Sequence, residues 1–330
     1  MKKLLLTTAL VAVAFSNNSF AEIKVSGSIE STYSSISYDQ AASQVTGSAA
    51  LGSEANVSFT GTKDLSNGMK VNGAIRIEDK TSAFGIDQKE IGIAAGNFRV
   101  HVGTDTGANI SENNVASVGQ QAEDVFGGLS GMIAPVGQFG VGGHDEEHIG
   151  VSYSTPFGGL HVNYAPSNNA TAGLGANSVS DSGGSITEYV FTGDLGVKGL
   201  SVRLGQIDAN SANGSGSDTE EKLIGATYSY GKAKVGFTKR DFDDANSTVE
   251  KDQAKSYSIA YAVAPNLSVS FERLETSKLG QTRDEVLDVL GVSYNLGGLG
   301  IEAYYGQAED VGGVANADAE AFQLRTVFAY

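Results

Sequence analysis

Sixteen short segments of alternating apolar and polar residues run through this chain, and the connections between them alternate in length. Successive side chains of a strand point to opposite faces, so alternation with a period of two marks a strand lying between two different surroundings. In 23–33, Ile23, Val25, Ile29 and Tyr33 share one face, while Lys24, Ser26, Ser28, Glu30 and Thr32 take the other. In 69–78, Met69, Val71, Ile75 and Ile77 oppose Lys70, Asn72, Ala74, Arg76 and Glu78. One class of connection is a tight turn such as Asn67-Gly68, Gly96-Asn97 or Pro265-Asn266; the other is a long polar loop such as 166–184 or 241–253. A soluble sandwich has no need of that rhythm. Strands that cross a bilayer, turning briefly at one face and widely at the other, produce it.

The pattern predicts strands near 23–33, 54–62, 69–79, 86–94, 98–104, 147–155, 159–165 and 185–193. Further strands are expected near 200–208, 221–230, 233–240, 254–263, 267–275, 285–295, 299–307 and 318–330. Each is roughly nine to eleven residues, the length of a tilted strand spanning a membrane. Apolar side chains then face lipid and polar ones an aqueous interior; Ser26, Ser28, Ser58, Thr60, Ser152 and Ser268 suit a water-filled bore. An even strand number puts both chain ends and the tight turns on one side. The connection of roughly forty residues from 105 to 146 is the outlier, and a loop of that length is usually functional or disordered. The expected fold is all-β, a 16-stranded antiparallel transmembrane barrel.

Lys2 and Lys3, the apolar run Leu4 to Phe15 and the small-x-small site Ser19-Phe20-Ala21 read as a secretory signal peptide over 1–21, leaving 22–330 as a single barrel domain. No stretch after Ala21 is apolar over the length a spanning helix needs. The chain has no Cys, so backbone ladders rather than disulfides must give rigidity. A formal charge of −16 argues against nucleic-acid binding, which needs basic surface.

Four motifs carry a resemblance. Phe59-Thr60-Gly61-Thr62-Lys63-Asp64-Leu65-Ser66-Asn67-Gly68-Met69-Lys70, followed by Arg76-Ile77-Glu78, resembles the strand-turn-strand signature of Gram-negative general diffusion porins. Val100-His101-Val102-Gly103-Thr104-Asp105 is similar to their approach to the third loop, and Tyr153-Ser154-Thr155-Pro156-Phe157-Gly158-Gly159-Leu160 to the hairpin that follows. Phe322 to Tyr330 resembles their closing strand, whose final aromatic the outer-membrane assembly machinery reads. The likeness is strongest to alphaproteobacterial porins.

The resemblance implies a Gram-negative outer-membrane homotrimer in which the third loop folds inward and narrows each pore. It also implies acidic residues on that loop facing basic residues on the wall. The matching loop carries Asp105, Glu112, Glu123 and Asp124, besides Asp145, Glu146 and Glu147; wall candidates are Lys24, Lys70, Arg76, Arg99 and Arg325. Glu30 stands where many relatives have Arg, and Glu78 also faces inward, which weakens the basic wall. Fixed carboxylates favour cations, so a mildly cation-selective channel for ions and small hydrophilic solutes is expected. The alternatives are a substrate-specific channel, for which Tyr304 is a rare inward aromatic, and a surface adhesin or structural barrel.

Other constellations carry less. His144-Asp145-Glu146-Glu147-His148 lacks the Glu that follows the first His in zinc proteases, and positions four apart on a strand lie more than about 10 Å from each other. Asp241-Phe242-Asp243-Asp244 offers oxygens for loop Ca2+ without a full ligand spacing. Gly128-Leu129-Ser130-Gly131-Met132 misses the last glycine of a nucleophile elbow. No enzyme activity and no cofactor are expected. Expected partners are outer-membrane lipid and lipopolysaccharide, two further copies of the chain, and the assembly machinery through Tyr330.

Overall fold

The computed structural model describes residues 22–40, 43–80, 83–104, 116–117, 122–126, 148–166, 185–210, 218–244, 252–277 and 281–330. Residues 1–21, where the signal peptide is expected, lie outside them. The chain forms β1 (Glu22–Gln40), β2 (Ser43–Asp64), β3 (Lys70–Lys80), β4 (Ala83–Ala95), β5 (Phe98–Thr104), β6 (His148–Thr155), β7 (Gly158–Ala165) and β8 (Ser185–Gly193). It continues as β9 (Leu200–Asn210), β10 (Thr219–Tyr230), β11 (Ala233–Asp244), β12 (Asp252–Ala264), β13 (Leu267–Ser277), β14 (Glu285–Asn295), β15 (Leu299–Glu309) and β16 (Asp318–Ala329). Each strand pairs antiparallel with its sequence neighbours, and β16 returns to β1 to close the barrel. Closure leaves no ladder edge in lipid, as a membrane-spanning sheet requires.

The turns at one end are set by local chemistry. The carboxamide oxygens of Asn67 and Asn295 and a carboxylate oxygen of Asp194 each accept the backbone N–H two residues on, at 3.2, 2.7 and 2.9 Å. Such side chains mimic a backbone turn. Gly68 follows with φ +81°, a backbone that side-chain-bearing residues rarely adopt.

The alternation places the expected faces. Ile23, Val25, Ile29, Ile75, Ile91, Val102, Leu160, Tyr189, Ile224, Ile259, Leu290 and Phe328 are all exposed on the outside of the barrel. Three features depart from the sequence expectation. First, β1 and β2 have 19 and 22 residues, twice the spanning length. They continue past the bilayer because they pair with each other from Glu22/Thr62 to Gln40/Ser43. β3 pairs with β2 only over Asn56–Asp64, so the far half of β2 is held from one side. Second, the strand placed at 233–240 runs on to Asp244: Asp241 accepts from Lys239 and Gln253 and belongs to the ladder, not to a calcium loop.

Third, inward positions are not polar throughout. Leu274, Leu287, Val289, Tyr304, Ala308, Ala319 and Ala321 face inward on β13–β16 and are buried with Ala122, Val125 and Phe126 in one apolar cluster. A second cluster, Ala165, Ile186, Ile207 and Leu223, lines β7–β10. The inner face of the wall therefore carries two apolar clusters, the first of them covered by Ala122, Val125 and Phe126.

Candidate functional site: the constriction

Residues 116–117 and 122–126 belong to the connection between β5 and β6, yet they rest on the inner wall of β12–β16. In a ring of sixteen strands, β13 stands opposite β5. The connection therefore reaches across the bore. Its anchors are specific. Ala116 N–H donates to Ser258 Oγ on β12 at 2.6 Å. One helical turn, α1 (Ala122–Val125), begins where Ala122 N–H donates to Glu272 Oε2 on β13 at 3.0 Å; Ser256 Oγ donates to the other oxygen of the same carboxylate at 2.7 Å. Phe126 then inserts over Gly306 of β15 against Val289. Its ring is 0% exposed, and burying a Phe side chain contributes about 1.5–3 kcal/mol relative to leaving it in water.

Inward residues of β5–β11 at the long-loop half are also buried. His101 and His148 meet edge to face with ring centres 5.6 Å apart. Asn163 Nδ2 donates to Glu188 Oε2 at 2.9 Å, and Arg240 Nη1 to Glu221 Oε1 at 3.0 Å. Water reaches the wall at this level along β1–β3, where Glu30, Thr32, Asn56, Ser58, Arg76 and Glu78 are half-buried and Glu54 is exposed, and along the adjoining β15 and β16, where Glu302 and Arg325 are half-buried.

Arg325 dominates that open sector. Its guanidinium binds both oxygens of Glu30 on β1 and reaches Glu302 on β15 at 3.1 Å, while Tyr304 donates its hydroxyl to Glu302 at 2.7 Å. Register explains the meeting: Arg325 lies directly across from Thr32 on one side and Glu302 on the other. Arg76 faces inward across from Ser58 and Gln88, with Glu78 one step along opposite Asn56. Arg99 is tied to Glu90, which also accepts from Asn72. Lys70 pairs with Asp64 at 3.4 Å at the tight-turn rim, both well exposed.

Asp105 and Glu112 fall outside the described residues, as do Asp145, Glu146 and Glu147; Glu123 and Asp124 lie on the backbone of α1. Glu54 and Glu302 share the inward parity of Ser58 and Gly300, so the alternation held the signal that puts them in the bore. Arg203 adds a guanidinium on β9, across from Thr192, on the same wall as His161 and Arg99. Glu272, Phe126 and Gly306 were beyond reach, because each matters through a contact between parts of the chain far apart in sequence. Tyr304 is 1% exposed with its hydroxyl bound to Glu302, so it offers no aromatic track to a passing solute. Among the described residues no cluster of His, Asp and Glu is arranged to hold a metal ion.

A closed sixteen-stranded barrel with an apolar outer belt, a polar bore and a connection packed inside it defines an outer-membrane channel. A sequence profile of the Gram-negative porin family matches residues 7–329, and the chain belongs to that family, whose members are diffusion channels of the outer membrane. No curated relative matches the chain by sequence. Among solved structures it is similar to the anion-selective porin from Comamonas acidovorans, at 16% identity and TM-score 0.69, covering 94% of this chain and 100% of that one. An engineered variant of the Rh. blastica porin is similar at 13% identity and TM-score 0.61, with 94% and 100% covered. In-vitro folded OmpT, an outer membrane protein of Vibrio cholerae, is similar at 15% identity and TM-score 0.61, with 94% and 98% covered.

Proposed function

We propose that this channel passes ions and small hydrophilic solutes with a preference for cations. One observation carries the preference: in the wall sector left open beside the packed connection, Glu30, Glu54, Glu78 and Glu302 outnumber Arg76 and Arg325. Fixed carboxylates raise the local cation concentration over a screening length of about 8 Å at physiological salt. The acids Glu123, Asp124, Asp105 and Glu112 of the connection add to that field, and Arg99, Lys70 and Arg203 oppose it from elsewhere on the wall. The test is the reversal potential of single channels in a salt gradient. Glu54→Gln with Glu78→Gln lowers cation preference; a wild-type potential of anion sign sinks the reading.

The working unit in this reading is a homotrimer of barrels, each with its own bore. Its contacts come from the outward face of β1 and β2, where Ser31, Ser35, Ser37, Ala49, Ser53 and Ala55 offer small and polar side chains that lipid would not favour. Residues 1–21 act as the export signal. Tyr330 is the address read during assembly; in the barrel its backbone N–H and C=O exchange 3.1 Å hydrogen bonds with Gly27. Lipid and lipopolysaccharide surround the outer wall.

A further inference from the structure

Across the bore from the carboxylate-rich sector, the wall changes sign. In a ring of sixteen strands, β9 stands opposite β1. Between the tight turns and the middle of the wall, the inward positions of β6–β12 carry His161, Arg203 and Lys234 and no carboxylate. Three donors there meet on one rung. Gly159 of β7 lies across from Thr192 of β8, and Thr192 across from Arg203 of β9. His161 stands two residues along β7, but its imidazole folds back over the glycine, with Nε2 2.7 Å from where a Cβ on Gly159 would be. Neighbouring strands lie about 4.8 Å apart, so the two basic side chains rise one strand to either side of the Thr192 hydroxyl. The rung continues into Gly225 of β10, and Gly205 is the next inward residue of β9. On those two sides the wall beside Arg203 is bare backbone.

The charges that act on His161 are those of Arg203 and Arg99, both positive, and Arg99 is bound by Glu90. The next inward acids, Glu188 and Glu221, lie four residues farther toward the long loops on β8 and β10, where Asn163 and Arg240 hold them. His161, Thr192 and Arg203 are all half-buried, so solutes in the bore reach them. A guanidinium offers donors in a fixed fork and no acceptor, which suits the edge of an oxyanion. The hydroxyl and the imidazole nitrogen add a donor each. Donors from three strands match the three free oxygens of a phosphoryl group better than the two of a carboxylate. We infer that His161, Thr192 and Arg203 form a subsite for a phosphoryl head, carried by free phosphate or by a small phosphomonoester on its way through the channel. It gives such solutes a saturable foothold in a bore whose opposite wall repels them. The subsite requires an open bore and is independent of ion preference, which the reversal potential reads separately.

Single channels of the full-length barrel are recorded in KCl while inorganic phosphate, glycerol phosphate or succinate is added to one side at constant ionic strength. Wild type shows saturable block by a phosphoryl solute and much weaker block by succinate. Its voltage dependence places the blocker less than halfway across the field from the tight-turn side. Block by phosphate without glycerol phosphate assigns the subsite to the free ion, and the reverse assigns it to the ester. Arg203→Gln and, separately, His161→Gln weaken the block about tenfold, the worth of one charge-assisted hydrogen bond. Lys234→Gln removes a cation from the same half of the wall but off the rung, and leaves the block unchanged. Succinate as effective as both phosphoryl solutes, or no saturable block at all, overturns the subsite on wild type alone. An equal loss in Lys234→Gln overturns it as well, because a diffuse field then accounts for the effect. Wild-type mobility on unheated gels shows that each variant barrel is folded.

Discussion

The ring of Phe126 occupies the space that a side chain on residue 306 would need: a Cβ on Gly306 would stand 2.6 Å from Phe126 Cε2 and 3.2 Å from Val289 Cγ2. The glycine is a notch in the wall of β15, and the connection that narrows the bore hangs on it.

Filling the notch should therefore release the connection while sparing the barrel. Gly306→Val is expected to raise single-channel conductance and admit larger neutral solutes in a swelling assay, with heat-induced unfolding on gels little changed. Phe126→Ala should do the same from the other side, losing about 3–5 kcal/mol of anchoring, the usual cost of truncating a buried Phe. Unchanged conductance in both variants would show that the aromatic contact does not set the bore.

Glu272 holds two donors at once, the N–H of Ala122 and the hydroxyl of Ser256. Glu272→Ala strands both in a buried place, where an unmet donor costs about 1–3 kcal/mol. Noisier current, with brief excursions to a larger conductance, is the expected record; Glu272→Gln, which keeps an acceptor oxygen, should be quieter.

Arg325→Met removes the one cation between Glu30 and Glu302. The two carboxylates are then left close together and partly buried, so the barrel should lose heat resistance and the reversal potential should move toward cations. Lys70→Met is the contrast. Its partner Asp64 lies in water, and exposed pairs of this kind contribute about 0–1 kcal/mol, so heat resistance should not move.

Ser31 and Ser35 lie on the outside of β1, where an assembly of barrels would press them against a neighbouring copy. Replacing both with Lys should convert trimers to monomers on native gels without altering circular dichroism. Persisting trimers would place the contact elsewhere on the wall.

The alternation revealed the strand number, the order of pairing and the lipid-facing residues, because a strand in a membrane wall shows its two surroundings at every step. It was blind to length in β1 and β2: their Ser, Ala and Gly positions beyond Tyr33 have little hydrophobic contrast, and what extends them is mutual pairing. It gave the inward position of Tyr304 but not the apolar cluster on the inner face of β13–β16, where Leu287 and Val289 pack beside it. A period of two says which residues share a face, not whether that face meets water or another part of the chain. At the constriction, Arg325 and Glu30 were within reach by parity. Their meeting with Glu302 required the register of β16 against both neighbours, which depends on closure.

Arg325 joins the first strand of the barrel to the last two. During synthesis β1 emerges some three hundred residues before its partner, so Glu30 must wait, unmatched, until nearly the entire polypeptide has arrived. A chain truncated before that arginine would present an unzipped seam with two carboxylates lacking their counterion, poorly suited to insertion. The triad thus works as a completeness check: only a finished protein can lock its own cylinder.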